Sequence, residues 1–476
     1  MDSTTAATQT GQTTPSVRWA LASLSLSMLL SSLGTSIANV GLPTLAHVFD
    51  ASFQQVQWIV LAYLLAITTL IVSVGRLGDL FGRRRLLLWG ISLFTLASAL
   101  CGIAPSLELL IGARALQGLG AAIMMALTLA FVGETVARER TGSAMGLLGT
   151  MSAIGTAMGP SLGGLLIAGF GWQAIFLISV PLGLLTWVLA RRYLPADRPK
   201  TKTSRSAFDV PGTLVLALTL GAYALAMTLG RGHFGALNIA LLLAACAGVG
   251  LFVWVEKRVA VPLIRLAMFR DAQLSASLIM SLLVTTVLMA TLVVGPFYLS
   301  RTLGLSAVGV GLVLSVGPLV AAVSGVPAGR IADRFGARPM TFAGLLAIAL
   351  GCFLLSVLPS RYGIGGYIAP MVVITLGYAL FQTANNTAVM AEVRAEQRGV
   401  VSGLLNLSRN LGLITGASVM GAVFAMASAS ADINSAPPQA IASGLRMTFS
   451  VAPGLMGIAC LVALGSRALD NTGDPH

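Results

Sequence analysis

The sequence predicts an all-α integral membrane protein: two six-helix bundles with two further helices inserted between them, fourteen transmembrane helices in all. Three observations predict it. Of 476 residues, 56% are hydrophobic and 9% charged, with a mean hydropathy of +0.89, whereas a water-soluble chain carries about 25% charged residues. Apolar runs of the length a spanning helix needs, about 20 residues, recur fourteen times. Finally, Gly75-Arg76-Leu77-Gly78-Asp79-Leu80-Phe81-Gly82-Arg83-Arg84-Arg85 returns as Gly329-Arg330-Ile331-Ala332-Asp333-Arg334-Phe335-Gly336-Ala337-Arg338, displaced by 254 residues. Such self-similarity marks a duplicated unit.

Taken in order, residues 1–17 are rich in Thr, Ser, Gln and Ala, a composition that cannot repay its ordering entropy and reads as a disordered tail. The run from Trp19 to Pro43 exceeds the core of a signal peptide, about 7–15 residues, and stands as the first span. Spans are expected near 18–43, 56–75, 86–105, 107–133, 143–167, 173–190, 211–230, 236–255, 272–296, 305–329, 339–359, 366–391, 399–425 and 447–466. The division that follows is an N-terminal bundle at 18–193, linkers with two extra helices at 194–271, a C-terminal bundle at 272–467, and a tail at 468–476.

The net charge of +13 does not point to nucleic acid, since the basic residues punctuate apolar runs and do not gather on one soluble face. They report topology. Of 29 Lys and Arg, 23 fall in the tails and alternate loops on one side, and the opposite loops hold only Arg231, Arg301, Arg361 and Arg446. Cytoplasmic loops retain positive charge, so both termini are expected in the cytoplasm. Cys101, Cys246, Cys352 and Cys460 lie far apart in apolar runs, and His47, His233 and His476 form no local cluster. No metal or cofactor is expected. Lys200, Lys202 and Lys257 sit in no Gly-Lys-[Ser/Thr] context, so the chain carries no phosphate-binding loop of its own.

The pattern Gly-x-Leu-x-Asp-x-x-Gly-Arg-Arg between the second and third spans resembles the signature loop of the major facilitator superfamily. The two inserted spans narrow the resemblance to its fourteen-span drug/proton antiporter family. The resemblance implies a bacterial inner membrane, a small-molecule substrate exchanged for protons, and two parallel halves that rock about a midplane site. A monomer embedded in the lipid bilayer is expected to suffice. It also implies a cytoplasmic gate of Gly75, Asp79, Arg83 and Arg84, echoed by Asp333 and Arg338, in which Asp79 latches the closed state. The alternative is a solvated ion pair worth about 0–1 kcal/mol.

In the fifth span, Gly155-x-x-x-Gly159-Pro160-x-x-Gly163-Gly164 sets glycines four apart on one face, where another helix can approach closely, and Pro160 invites a bend. The whole pattern is similar to the motif that marks antiporters in the superfamily. Arg114 lies roughly 12 Å along the fourth span at 1.5 Å per residue, and a charge at that depth usually faces a cavity or pathway. With Gln117 it resembles the family's fourth-helix motif, which implies a part in proton coupling; a structural clamp on neighbouring carbonyls is the other reading. Arg409 is comparably deep and shares a helix face with Asn406 and Asn410, while Gln382, Asn385 and Asn386 cluster in the twelfth span. Cavity lining and interhelical bonding both fit these groups. Asn39 in the first-helix motif and Tyr63 complete the candidate cavity.

One departure bears on mechanism. Where the family usually carries a first-span acid, this sequence has Gly34. Proton coupling needs a group whose pKa moves with access and substrate, and Glu134, near the inner end of its span, becomes the leading candidate, followed by Asp79. A solvated loop acid remains the plain reading of Glu134. Two deep arginines without a deep carboxylate favour neutral or anionic amphiphiles over lipophilic cations. The expectation is thus export of drugs or similar amphiphiles by proton antiport. A dedicated metabolite exporter or a carrier not coupled to protons is the alternative within transport, and an embedded enzyme or sensor lacks the deep catalytic set or output domain it would need.

Overall fold

The computed structural model describes residues 15–71, 73–135, 141–197, 209–229, 235–259, 262, 266–357, 362–392, 398–428 and 436–472. Among them are fourteen helices long and apolar enough to cross a bilayer. They are α1 (Val17–Val48), α2 (Phe53–Ile71), α3 (Arg83–Gly102), α4 (Leu107–Phe131), α5 (Thr150–Phe170), α6 (Ala174–Tyr193), α7 (Val210–Thr228), α8 (Ala236–Arg258), α9 (Ala272–Thr302), α10 (Ala307–Gly325), α11 (Ala337–Val357), α12 (Gly363–Val389), α13 (Gly403–Ala427) and α14 (Pro438–Gly465). An even number of crossings returns the chain to the face it started from, here called the terminal face; the opposite face is the distal one. Since α2 and α10 both end at the terminal face, the two repeated loops lie on the same side.

Differences from the expected spans fall at helix ends. The first helix starts at Pro15, inside the expected tail, and runs past Pro43 to Val48, because buried Leu42, Leu45 and Ala46 continue its packing. α14 begins nine residues before the apolar run, where Ile441, Ala442 and Leu445 recur at helical spacing and are buried. α9 continues beyond Phe297 through a π-helical turn, Tyr298–Thr302.

The duplication read from sequence is carried by glycine geometry. Gly82 and Gly336, matched across the repeat, take φ of +90° and +88°, a region that side chains avoid. Gly120 of α4 crosses Gly90 of α3 so closely that a Cβ on Gly120 would stand 2.8 Å from the Gly90 carbonyl; Gly377 of α12 stands in the same relation to Gly344 of α11, also at 2.8 Å.

The apolar core is not evenly shared between the two faces. Its largest cluster fuses both halves at the distal side, joining α1 and α2 (Leu33–Ala46, Phe53–Leu64) to α9, α13 and α14. There Phe53 meets Phe297 and Phe424 edge-on at 4.9 and 5.2 Å. Toward the terminal face the two smaller described clusters, one from α1–α6 and one from α9, α12 and α13, each stay within one half, and the largest cluster extends that way only within the C-terminal half, through Ala276 and Met280 of α9.

The inserted pair α7 and α8 meet where Thr219 fills the space beside Gly248. Of the pair, α7 docks on the first half, Trp58 Nε1 of α2 donating to Thr228 Oγ1 at 3.0 Å and Ser73, just after α2, sharing a hydroxyl contact of 3.2 Å with Thr213. Asp209 caps α7 by accepting from the Gly212 N–H at 2.8 Å.

Candidate functional site

Arg114 is the most deeply embedded charge among the described residues, fully buried in α4. A guanidinium out of water needs an acceptor for each N–H edge, and three are supplied by separate helices. Its Nε donates to the Ile59 carbonyl of α2 at 2.9 Å, one terminal nitrogen to the Gly34 carbonyl of α1 at 3.1 Å, and the other to Gln117 Oε1 one turn along α4 at 2.5 Å. Gln117 passes the chain on, its Nε2 donating to Ser98 Oγ of α3 at 2.7 Å. The Tyr63 ring lies 4.1 Å from the guanidinium carbon and the Phe176 ring 5.9 Å, so the flat faces of the cation meet aromatic π-clouds. Tyr63 in turn donates from its hydroxyl to the Ser31 carbonyl at 2.8 Å. Every partner in this cage is formally neutral.

Gly34 has a steric reason in the same cage. A Cβ there would lie 2.9 Å from the Tyr63 hydroxyl and 3.4 Å from Phe94. The tyrosine fills the room that a side chain at position 34 would enter. Asn39, fully buried a turn further, folds its amide back onto the Thr35 and Ser36 carbonyls.

Of the gate and proton-coupling candidates, Gly75, Asp79, Glu134 and Asp333 have side-chain positions outside what the structure describes. The remainder of the loop is held by a residue that sequence reasoning missed. Asp197, in the segment after α6, accepts from the backbone N–H groups of Arg84 and Arg85 at 2.8 and 3.2 Å, where α3 begins, as a carboxylate at a helix N-terminus should. The Arg84 guanidinium donates to the Arg191 carbonyl, and Arg83 packs its stem on Gly78. In the second half Arg338 donates to Gln273 Oε1 of α9 at 2.9 Å. Asp197 left no local signal, being 113 residues from Arg84 in a linker read only for its basic charge.

The fifth-span glycines serve two neighbours. Gly155, Gly159 and Gly163 press on α1: Ser36 donates to the Gly155 carbonyl at 3.3 Å, Ser32 and Ser152 pair at 2.7 Å, and a Cβ on Gly159 would overlap Ser36. Gly164 faces the other half, against the Ala307 carbonyl of α10, and the Pro160 carbonyl abuts Gly311. The same displacement that relates Gly120 to Gly377, 257 residues, carries Gly155 and Gly159 to Gly412 and Gly416. In α13 these two press on Thr285, Leu282 and Thr286 of α9. In place of Pro160 stands Ala417, inside a π-helical turn, Gly416–Met420, and its carbonyl accepts from Gln57 Nε2 of α2 at 2.8 Å. Neither Gln57 nor the α13 glycines were singled out from sequence; searching the repeat at 257 residues would have found the latter.

The polar groups of the C-terminal half separate. Asn385 is buried within its own bundle, donating to Ser281 Oγ at 3.1 Å. Gln382, Asn386, Asn406, Arg409 and Asn410 are half-buried, and the backbone carbonyl of Arg409 accepts from Thr285 Oγ1 at 3.1 Å. These residues gather in the terminal half of α12 and α13, away from the Arg114 cage.

Such an arrangement, two like-built halves fused at one face with a caged cation in one of them, defines a helical carrier. A family model, the Major Facilitator Superfamily, matches residues 24–417. The chain belongs to that superfamily and is a multi-pass membrane transporter of its fold. It is 33% identical over 84% of its length to the multidrug resistance protein Stp of Mycobacterium tuberculosis, covering 74% of that relative. To the multidrug efflux pump LfrA of Mycolicibacterium smegmatis it is 33% identical over 86% of its length, covering 82%. To the riboflavin transporter RibZ of Clostridioides difficile it is 30% identical over 84%, covering 86%. Among solved structures, a bacterial homolog of the human lysosomal transporter Spinster, inward-facing and unoccupied, superposes with a TM-score of 0.69 at 17% identity, covering 96% of this chain and 98% of the other.

Proposed function

We propose that the chain exports small amphiphilic organic compounds, drugs among them, from bacterial cells across the inner membrane, by alternating access coupled to inward movement of protons. The observation that carries this reading is the division of the apolar core: one cluster ties the two halves together at the distal face, and separate clusters serve each half toward the terminal face. With both termini in the cytoplasm, as the basic loops indicate, the proposed state is a carrier sealed to the outside, whose described core clusters do not join the two halves on the inside. Rocking the halves would part the Phe53, Phe297 and Phe424 contacts and bring the terminal clusters together.

Names of relatives support efflux over uptake in two of the three cases cited. The riboflavin transporter among them supports the second reading, a carrier dedicated to one metabolite. In the proton-coupled reading, Glu134 and Asp79 at the terminal side exchange protons with the cytoplasm, and Arg114 holds α1, α2 and α4 in one register through its neutral cage. A fixed cation without a carboxylate partner in that cage favours neutral or anionic substrates. The half-buried Gln382, Asn386, Asn406 and Arg409 are the groups proposed to meet them.

The experiment is substrate-driven proton movement in liposomes, with wild type, Glu134→Gln, Asp79→Asn and Arg114→Ala, against a panel of cationic, neutral and anionic amphiphiles. Wild type is expected to move protons opposite to substrate, and Glu134→Gln to lose that coupling. Transport indifferent to a pH gradient removes antiport. A clear preference for dications removes the charge argument, and activity confined to one metabolite selects the second reading.

A further inference from the structure

We propose that the distal end of the C-terminal half holds the head group of an anionic phospholipid from the adjoining leaflet. A cleft of about 800 Å³ opens there between the ends of α11, α13 and α14. One wall is the α14 face bearing Ser443, Arg446, Met447 and Ser450, which share a side of the helix at spacings of three, four and seven; Phe353 and Ser356 of α11 stand opposite.

Three features select the ligand. The first is charge. The distal loops are nearly stripped of basic residues, and of their four arginines Arg231 and Arg361 lie outside the described residues. Arg301 is engaged with His47 across the two halves. Arg446 donates to no acceptor among the described residues and points into the cleft. The second is the supply of donors. Ser356 and Ser450 spend their hydroxyl protons on the carbonyls of their own helices, Phe353 and Met447, at 2.7 and 2.8 Å. Ser443, one turn before Arg446, makes no such bond among the described residues, so the uncommitted donors are a guanidinium and a hydroxyl on the same helix face. That pair suits a phosphodiester, whose oxygens accept only. The third is the surround. Phe353 and Met447 are 53% and 54% exposed and flank the arginine with apolar surface, which suits acyl chains below a head group.

Depth agrees with a lipid. Arg446 directly precedes the apolar run of α14, residues 447–466, which places it at the level of the bilayer interface, within reach of lipid head groups.

The test titrates the purified full-length chain in detergent with phosphatidylglycerol or phosphatidylcholine and counts retained lipid by native mass spectrometry. Wild type is expected to retain phosphatidylglycerol in preference. Arg446→Gln is expected to bind it about fivefold more weakly, Arg446→Lys to keep most of the binding, and Ser443→Ala to fall between. Should Arg446→Gln prove hard to fold, Ser450→Trp fills the cleft with the charge intact and is expected to expel the lipid. The proposal is overturned if Arg446→Gln and Ser450→Trp retain phosphatidylglycerol as wild type does, if phosphatidylcholine is held equally well, or if inorganic phosphate competes as effectively as the lipid.

Discussion

The two halves are built on one plan and differ where that plan meets charge. Six residues before the α4 glycine that crosses α3 stands Arg114; six residues before the matching α12 glycine stands Met371, buried like Arg114. Both halves tie a tyrosine hydroxyl to a carbonyl of their first helix about a turn before a glycine. Tyr63 donates to Ser31 ahead of Gly34, and Tyr367 to Thr291 at 3.4 Å ahead of Gly295. The tyrosine comes from α2 in the first half and from α12 in the second. In the first it lies on a guanidinium; in the second it stacks on Tyr298 at 6.0 Å. The seams between halves differ in the same way. Gln57 of α2 and Gly311 of α10 are matched by the repeat displacement of 254 residues, and Gln57 reaches the Ala417 carbonyl by a hydrogen bond while Gly311 meets the Pro160 carbonyl directly. One half is organised around a buried cation, the other around close backbone contact.

If acceptors and not depth make the Arg114 site habitable, Met371→Arg should be the most damaging exchange, since the matched site carries no such cage. The expected loss is several kcal/mol, read as failure to accumulate in the membrane; near-normal yield and melting temperature would break the comparison. Arg114→Met, the reverse exchange, is expected to cost about 1–3 kcal/mol while substrate efflux from proteoliposomes drops to that of empty vesicles. Efflux above half of wild type would reduce Arg114 to a packing residue.

Glycine contacts come next. Gly159→Val and its counterpart Gly416→Val each place a side chain into a first helix, Ser36 in one half and the Thr286 carbonyl in the other. Both should lower thermal stability by about 1–3 kcal/mol, and a large effect in one alone would show that the halves do not share this joint. At Gly34, Ala is expected to destabilise less in a Tyr63→Phe background than in wild type, because the nearest overlapping atom is the hydroxyl. A thermal double-mutant cycle should give a coupling of about 1 kcal/mol, and strict additivity would dismiss the steric account of Gly34. The smallest effect belongs to Gln57→Ala, about 1 kcal/mol, weakening the distal seam. Labels placed on the terminal ends of α2 and α13 should report closer approach in that variant, and unchanged distances would count against a seam that controls opening.

The span count, the order of helices and the duplication were legible in the chain because each rests on local quantities: twenty apolar residues in a row, a charge excess that alternates from loop to loop, and a motif that recurs at a constant displacement. The importance of Arg114 was legible for a related reason, since a cation amid apolar residues is conspicuous in one dimension. Its partners were not. Carbonyls from Gly34 and Ile59 and the hydroxyl of Ser98 carry no signature, and they meet Arg114 and Gln117 only when four helices pack together. Asp197 was hidden likewise, as was the change from Pro160 to a π-helical turn at Ala417, two ways of loosening a helix at one matched position. Sequence by itself determined how many times the chain crosses the bilayer and that it does so in two similar halves, because hydrophobic length and repeat are properties of neighbouring residues. Tertiary structure alone decided that the halves join at the distal face, that Gly34 makes room for a tyrosine, and that the buried cation rests among neutral acceptors, because each depends on which helices pack side by side.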